Sequence, residues 1–323
     1  MTSTLGRSRP LKTAVGRGDA HAKVILFGEH SVVYGGPAIA LPMRGLRLTA
    51  SARATEGPAS IESALYTGPI QDAPPRLAAP IAAITESLAV LGRSTADIAV
   101  RVDGRIPAGR GLGSSAAVAA AISASIADWA GIPLADEVRF ELVQAAERVA
   151  HGNPSGLDAR GVVADTPIWF RAGTVRAVPV HLPTAFVVAD SGIPGGTREA
   201  VSAVAELRRQ DEDRVTGILA RIDTETDGAE RDLAAADVVS LGRRMTAVHA
   251  LLRQLSVSSP ELDGLVGTAL AHGALGAKLT GGGRGGCIIA LADAGGPAVD
   301  LASMLRRAGA ANTWIITAED LAA

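Results

Sequence analysis

Ile106-Pro-Ala-Gly-Arg-Gly-Leu-Gly-Ser-Ser-Ala-Ala117 stands between a strand-like run, Ile98-Ala-Val-Arg-Val102, and an alanine-rich segment that reads as a helix to about Ala130. Glycines at 109, 111 and 113 leave the backbone amides bare, and Ser114 and Ser115 are helix-capping residues at the head of the segment that follows. Strand, glycine loop and helix start bring free N–H groups and the positive end of a helix dipole to one spot, which suits a triphosphate. The alternative is a helix-capping loop that binds nothing. The loop is not a Walker A sequence, because no Gly-Lys-Ser/Thr follows at the required spacing, and a dinucleotide fingerprint would place its last glycine where Ser114 stands. Protein-kinase catalytic and metal-binding motifs are absent too. Kinase chemistry on this chain therefore needs another fold.

Outward from the loop, the chain alternates strand and helix signals. Val24-Ile-Leu-Phe27 predicts a strand, Leu46, Leu48, Ala50 and Ala52 alternate as a half-buried strand does, and Leu77, Ile81, Ile84, Leu88 and Leu91 fall at helical spacing. A second helix is expected from Ala135 to Ala150, then strands near 168–170 and 175–180. Leu182-Pro-Thr184 reads as a seam. Beyond it come a strand at 186–189, a mostly helical stretch from Thr197 to about His272, a strand at 287–291, a helix at 298–308 and a strand at 313–317. The expectation is an α+β fold of two packed domains, 19–183 and 184–323, after a mobile basic tail over 1–18. No signal-peptide pattern is visible, and the longest apolar stretch, 116–127, is too short to span a bilayer. A cytoplasmic location is expected.

Composition limits the partners. The 323 residues are 47% apolar, enough for a large core, and 31 basic against 33 acidic side chains give a net charge of −2, so nothing points to nucleic acid or an anionic membrane. The apolar surplus allows a homodimer. One cysteine, Cys287, excludes an internal disulfide scaffold and reads as a small buried hydrophobe. Three of the 31 basic residues are lysine (Lys12, Lys23, Lys278), which leaves 28 arginines. In such a chain a lysine marks a place where a compact ammonium serves and a wide guanidinium does not.

Three more stretches carry polar groups that chemistry can use. Lys23-Val-Ile-Leu-Phe-Gly-Glu-His30 brings an ammonium, a carboxylate and an imidazole to the ends of one strand, either as a cleft or as a surface salt-bridge set. Glu147 sits on the last turn of a predicted helix, where an acid opposes the dipole unless a cation such as magnesium compensates it. The turn His151-Gly-Asn-Pro-Ser-Gly156 stops that helix and delivers Asp158, as a site carboxylate or as a solvated turn residue. Lys278-Leu-Thr-Gly-Gly-Gly-Arg-Gly-Gly-Cys287 either lets backbone approach a ligand closely or makes a flexible hairpin.

The ordered set of these motifs resembles the GHMP kinase superfamily. Gly28-Glu-His-Ser-Val-Val-Tyr-Gly35 together with His151-Gly-Asn-Pro-Ser-Gly-Leu-Asp158 narrows the resemblance to its mevalonate kinase family. His21-Ala22 stand where many members have Pro-Gly, and the stretch 200–270 matches no motif. The resemblance implies a left-handed βαβ crossover in the N-terminal domain and a ferredoxin-like C-terminal domain. It implies that Gly109, Arg110, Gly111, Leu112, Gly113, Ser114 and Ser115 wrap ATP, that Ser115 and Glu147 hold Mg2+, and that Asp158 and Lys23 are catalytic. Glu29, His30, Asp158, Thr197, Gly281, Gly282 and Gly283 would meet the substrate. The expected reaction is phosphorylation of the 5-hydroxyl of mevalonate by ATP. Asp158 takes the proton and Lys23 steadies the charge, or Lys23 activates the hydroxyl and Asp158 acts electrostatically. Phosphomevalonate kinase, another small-molecule kinase of the superfamily, or a ligand sensor without turnover are the alternatives.

Overall fold

The structure is a computed structural model that describes residues 14–94, 97–152 and 154–322. Residues 1–13 of the expected tail, with Lys12, and Asn153 of the expected turn lie outside the described residues. In order, the elements are β1 (Val15–Phe27), β2 (Ala38–Ala54), β3 (Ser60–Ser63), β4 (Tyr66–Pro69), α1 (Ala78–Val90), β5 (Ile98–Gly104), α2 (Ser114–Ala130), α3 (Asp136–His151), α4 (Leu157–Gly161), β6 (Ile168–Arg171), β7 (Thr174–Ala177) and β8 (Thr184–Asp190). They continue through α5 (Thr197–Gln210), α6 (Glu212–Ala235), α7 (Val238–Gln254), α8 (Pro260–Ala271), β9 (Gly276–Thr280), β10 (Cys287–Asp293), α9 (Gly296–Arg307), β11 (Asn312–Ile316) and α10 (Ala318–Leu321).

The described residues fall into two compact units that interleave along the chain, one built from 14–20, 48–105 and 115–152, the other from 21–47, 106–114 and 154–322. They do not divide it at residues 183 and 184.

In the first unit, residues 48–54 of β2 pair antiparallel with β5, β5 pairs parallel with β3, and β3 pairs antiparallel with β4. The parallel β3 and β5 are joined through α1, which gives a βαβ crossover. Helices α1 and α3 pack together, and Ser87 Oγ donates to Ser123 Oγ at 3.0 Å to join α1 to α2 internally. The small residues of α2 have a purpose: a Cβ on Gly16 would stand 2.2 Å from the Ser125 carbonyl, and one on Gly18 2.2 Å from that of Ala121. Backbone lies on backbone there, so residues 15–18 are strand and not tail, a correction that follows from this close packing. Strands β3 and β4 also escape a reading by periodicity, since each has only four residues.

In the second unit, residues 38–40 of β2 pair with β6, and β6 with β7. Ile25, Val32, Ala38, Ala40, Leu157, Ile168 and Phe170 make one buried cluster, to which α4 gives Leu157 and the turn at Ser31–Tyr34 gives Val32. A second sheet runs in the order β11-β8-β10-β9, antiparallel throughout. With helices between β8 and β9 and α9 between β10 and β11, this is the β-α-β-β-α-β arrangement of ferredoxin-like folds, as expected. β8 is buried at all seven positions and β9 at all five, the pattern of a sheet covered on both faces. Strand β9 is the element that the glycine-rich reading of 278–287 does not anticipate. Among the described residues no helix is long and apolar enough to cross a membrane.

Candidate active site

The expected phosphate loop leads from β5 into α2, with Gly109, Gly111 and Gly113 at φ +68°, +77° and +72°, in the left-handed region that glycine enters freely. Its chain is fastened on several sides. Gly195 N–H donates to the Gly109 carbonyl at 2.7 Å, and Lys23 N–H to that of Leu112 at 3.1 Å. Arg110 turns its guanidinium away along the second unit: Nε lies 3.0 Å from Asp190 Oδ1, and Nη2 donates to the Gly192 carbonyl at 2.9 Å. Asp190, 2% exposed, is a residue that sequence reading missed; its only signal is a conventional strand end.

Lys23 and Asp158 meet. Lys23 Nζ lies 2.8 Å from Asp158 Oδ1 and donates to the Gly111 carbonyl at 3.1 Å, with the lysine side chain 2% exposed and the aspartate 36%. Asp158 is placed by the first turn of α4, which opens after Gly156 in the left-handed conformation. The lysine stem runs through a slot made by two glycines, since a Cβ on Gly113 would come 3.1 Å from Lys23 Cγ and one on Gly161 3.2 Å from the same atom. An ammonium has three N–H donors. Two are used here, which leaves one for a ligand.

The late glycine stretch lies against this loop. A Cβ on Gly281 would be 3.2 Å from Gly111 Cα, one on Gly282 2.8 Å from Thr197 Cα, and one on Gly283 1.9 Å from the Val257 carbonyl. Thr197, Gly281, Gly282 and Gly283 are thus brought together, and the glycines are required by close backbone approach.

Glu29 and His30 follow β1 and are both buried. His30 sits at φ +62°, uncommon for a residue with a Cβ, and its Nε2 is 3.0 Å from the Gly282 carbonyl. Burial pushes its pKa down to about 4. A neutral ring facing a carbonyl must carry its proton on Nε2, which leaves Nδ1 as an acceptor. Glu29 is bonded through Oε1 to the Lys278 ammonium. Burial drives the Glu29 carboxyl up and the Lys278 ammonium down, and the attraction between them opposes both shifts. Cys287 is fully buried and its thiol is pushed well up by burial, so it is the inert hydrophobe expected.

Ser114 and Ser115 open α2. Ser115 and Glu147 both belong to the first unit, Ser115 on the first turn of α2 and Glu147 on the last turn of α3. The Glu147 side chain is 3% exposed and its Oε2 lies 3.8 Å from His151 Nε2. Hydroxyl and carboxylate are hard oxygen donors, and the described residues contain no group of three or more acids, histidines or cysteines placed to hold a metal. Such a donor set fits Mg2+, which keeps waters and phosphate oxygens among its ligands and takes few from protein.

Family models match on both sides of the Leu182–Thr184 seam, for the GHMP kinases N terminal domain at residues 80–163 and the GHMP kinases C terminal at 229–311. Over 313 residues the chain is 34% identical to the mevalonate kinase of Aeropyrum pernix, covering 94% of this chain and 96% of that one. Among solved structures, L. major mevalonate kinase in complex with R-mevalonate is similar with a TM-score of 0.81 at 28% identity, over 95% of this chain and 97% of that one. Methanococcus jannaschii mevalonate kinase is similar with a TM-score of 0.78 at 25% identity, over 94% and 98%. The glycine loop, the paired Lys23 and Asp158 and these likenesses agree: the chain belongs to the GHMP kinase family, among its mevalonate kinases.

Proposed function

We propose that this chain transfers the γ-phosphoryl group of ATP to the 5-hydroxyl of mevalonate, giving 5-phosphomevalonate and ADP. The observation that carries the reading is the position of one ammonium: Lys23 Nζ touches both the Gly111 carbonyl of the phosphate loop and the Asp158 carboxylate. Donor phosphate and acceptor hydroxyl are therefore expected to meet at that nitrogen.

Phosphoryl transfer demands positioning and charge neutralisation more than covalent catalysis. Asp158 orients the hydroxyl and receives its proton as the new oxygen–phosphorus bond forms. Lys23, through its remaining N–H, steadies charge on the transferring group while the bond to the β-phosphate oxygen breaks and ADP leaves. Backbone N–H groups of 109–115 and the start of α2 hold the phosphates. Mg2+ arriving with ATP would be held by Ser115 and Glu147 and would neutralise phosphate charge. Glu29, His30, Thr197 and Gly281–Gly283 form the acceptor side. We propose in addition a cytoplasmic location.

The test is ADP release by the purified protein with magnesium-ATP and mevalonate, run beside phosphomevalonate, homoserine and galactose. Turnover that depends on mevalonate is the expected result. Turnover with another acceptor and silence with mevalonate would overturn the substrate assignment, and silence with all four would overturn the enzymatic reading.

A further inference from the structure

Of the three lysines in this arginine-rich chain, the two among the described residues are both buried, and each is bonded to a carboxylate. Lys23 belongs to the reaction above. Lys278, on β9, has no part in it, yet its side chain and that of Glu29 are each 0% exposed. Its ammonium donates to Glu29 Oε1 and, at 2.8 Å, to the Leu279 carbonyl, and stands 5.9 Å from the centre of the Phe27 ring. Glu29 Oε2 is buried without a hydrogen-bond partner. A buried ion pair is a weak source of stability beside an apolar pair of similar volume, and a half-satisfied one weaker still. Stability alone does not account for this pair.

Its position offers an account. Three side-chain links stitch residues 25–30 to residues 278–282: Thr280 Oγ1 donates to the Ile25 carbonyl at 2.8 Å, Lys278 donates to Glu29, and His30 Nε2–H donates to the Gly282 carbonyl at 3.0 Å. The Glu29-His30 corner is where the chain leaves β1 through a residue held at positive φ and negative ψ, so it needs outside support. Behind Lys278, the backbone of β9 is pinned as well. Leu279 N–H donates to His249 Nδ1 at 3.3 Å, and His249 Nε2 lies 3.2 Å from Asp263 Oδ1, with Arg253 Nε 3.0 Å from the other carboxylate oxygen. Lysine is also the residue that fits, because a guanidinium is wider than the space a fully enclosed ammonium occupies.

We propose that Lys278 is a positioning residue for the acceptor alcohol: its ammonium holds the Glu29 carboxylate, and with it the Glu29-His30 corner on the acceptor side, in the place the bound acceptor needs. This rests on the kinase reading above. The role differs from a general structural one because it acts through a single carboxylate and on one of two substrates.

The test is a double-mutant cycle on the full chain, with Lys278→Met, Glu29→Gln and the pair together, measuring KM for the acceptor and for ATP alongside the urea midpoint. The acceptor is mevalonate, or whichever of the four acceptors the wild type turns over. Acceptor KM is expected to rise about tenfold or more, as for loss of a hydrogen bond to a charged group, and to the same extent in all three variants, with KM for ATP within about twofold of wild type. Lys278→Arg is expected to fail to restore it. The double variant carries no buried charge and keeps the test readable if Lys278→Met alone does not fold. A native acceptor KM in Lys278→Met, effects that multiply in the double variant, or a parallel rise in KM for ATP would each overturn the proposal. Wild-type silence with mevalonate alone overturns the substrate assignment and leaves this cycle to be run on the active acceptor. Silence with every acceptor overturns both.

Discussion

Replacing Asp158 with asparagine removes one charge from the Lys23–Asp158 contact and almost no volume. At 2.8 Å, and with an effective dielectric of about 20, the Coulomb attraction between the two groups is about 6 kcal/mol. Asp158 is 36% exposed, so water offsets much of that, and a net of about 2 kcal/mol is the scale expected for a hydrogen bond to a charged group. Asparagine still offers an oxygen to Nζ, and the lysine stem remains in its glycine slot, so the loss in stability should stay near 1–2 kcal/mol, roughly 2–4 °C in Tm per kcal/mol for a chain of this size. Turnover is different, because the amide cannot take the hydroxyl proton; kcat should fall by about 10²–10⁴. KM for ATP should stay within about threefold, since the phosphate loop is held by Gly195 and Arg110 as well. Steady-state kinetics by coupled ADP release and a thermal melt measure all three quantities. If Lys23 and Asp158 act as a unit, a Lys23→Met/Asp158→Asn double variant will be no slower than the slower single. A kcat within tenfold of wild type in the folded Asp158→Asn protein would falsify the role given to this carboxylate.

Gly113→Ala places a Cβ 2.9 Å from Val162 Cγ1 and 3.1 Å from Lys23 Cε at a φ of +72°, so we expect about 1–3 kcal/mol of destabilisation and a kcat lower by roughly 10–100-fold from a displaced ammonium; a melt and an ADP-release assay check both, and unchanged kcat would show that the slot does not set the lysine. Arg110→Met leaves Asp190 buried with Gly192 N–H as its remaining donor, 2.8 Å away, and should cost about 3 kcal/mol and raise KM for ATP; Asp190→Asn added to it should recover stability, read from urea midpoints. His30, with its pKa lowered from 6.5 to about 4, binds a proton in the unfolded chain before it does in the folded one. Its contribution is present above pH 6.5 and is lost as pH falls toward 4, by about 3 kcal/mol, so the stability gap between wild type and His30→Gln should narrow over that window and stay constant above it; a gap that widens on acidification would contradict the buried neutral ring.

What could be read in the chain by itself is what local rules decide. Three glycines alternating before two serines specify positive φ, bare amides and a helix start, and those requirements are met within ten residues. The scarcity of lysine marked Lys23 and Lys278 before any partner was known. Helical spacing likewise placed α1, α3 and the long helical stretch before β9. The tertiary structure alone decided which charge meets which. Lys278 finds Glu29 and Arg110 finds Asp190 across sheets and loops distant in sequence, and spacing along the chain carries no information about such pairs, whereas the meeting of Lys23 with Asp158 is one that the family resemblance already implies. It also decided why certain residues are glycine. Gly16 and Gly18 serve the packing of β1 on α2, and Gly281 to Gly283 the approach of one backbone to another, so a strand was hidden in a basic tail and a rigid contact in what reads as a flexible loop. A missing Cβ has a local meaning when φ is positive, and a tertiary one when a neighbour occupies its place.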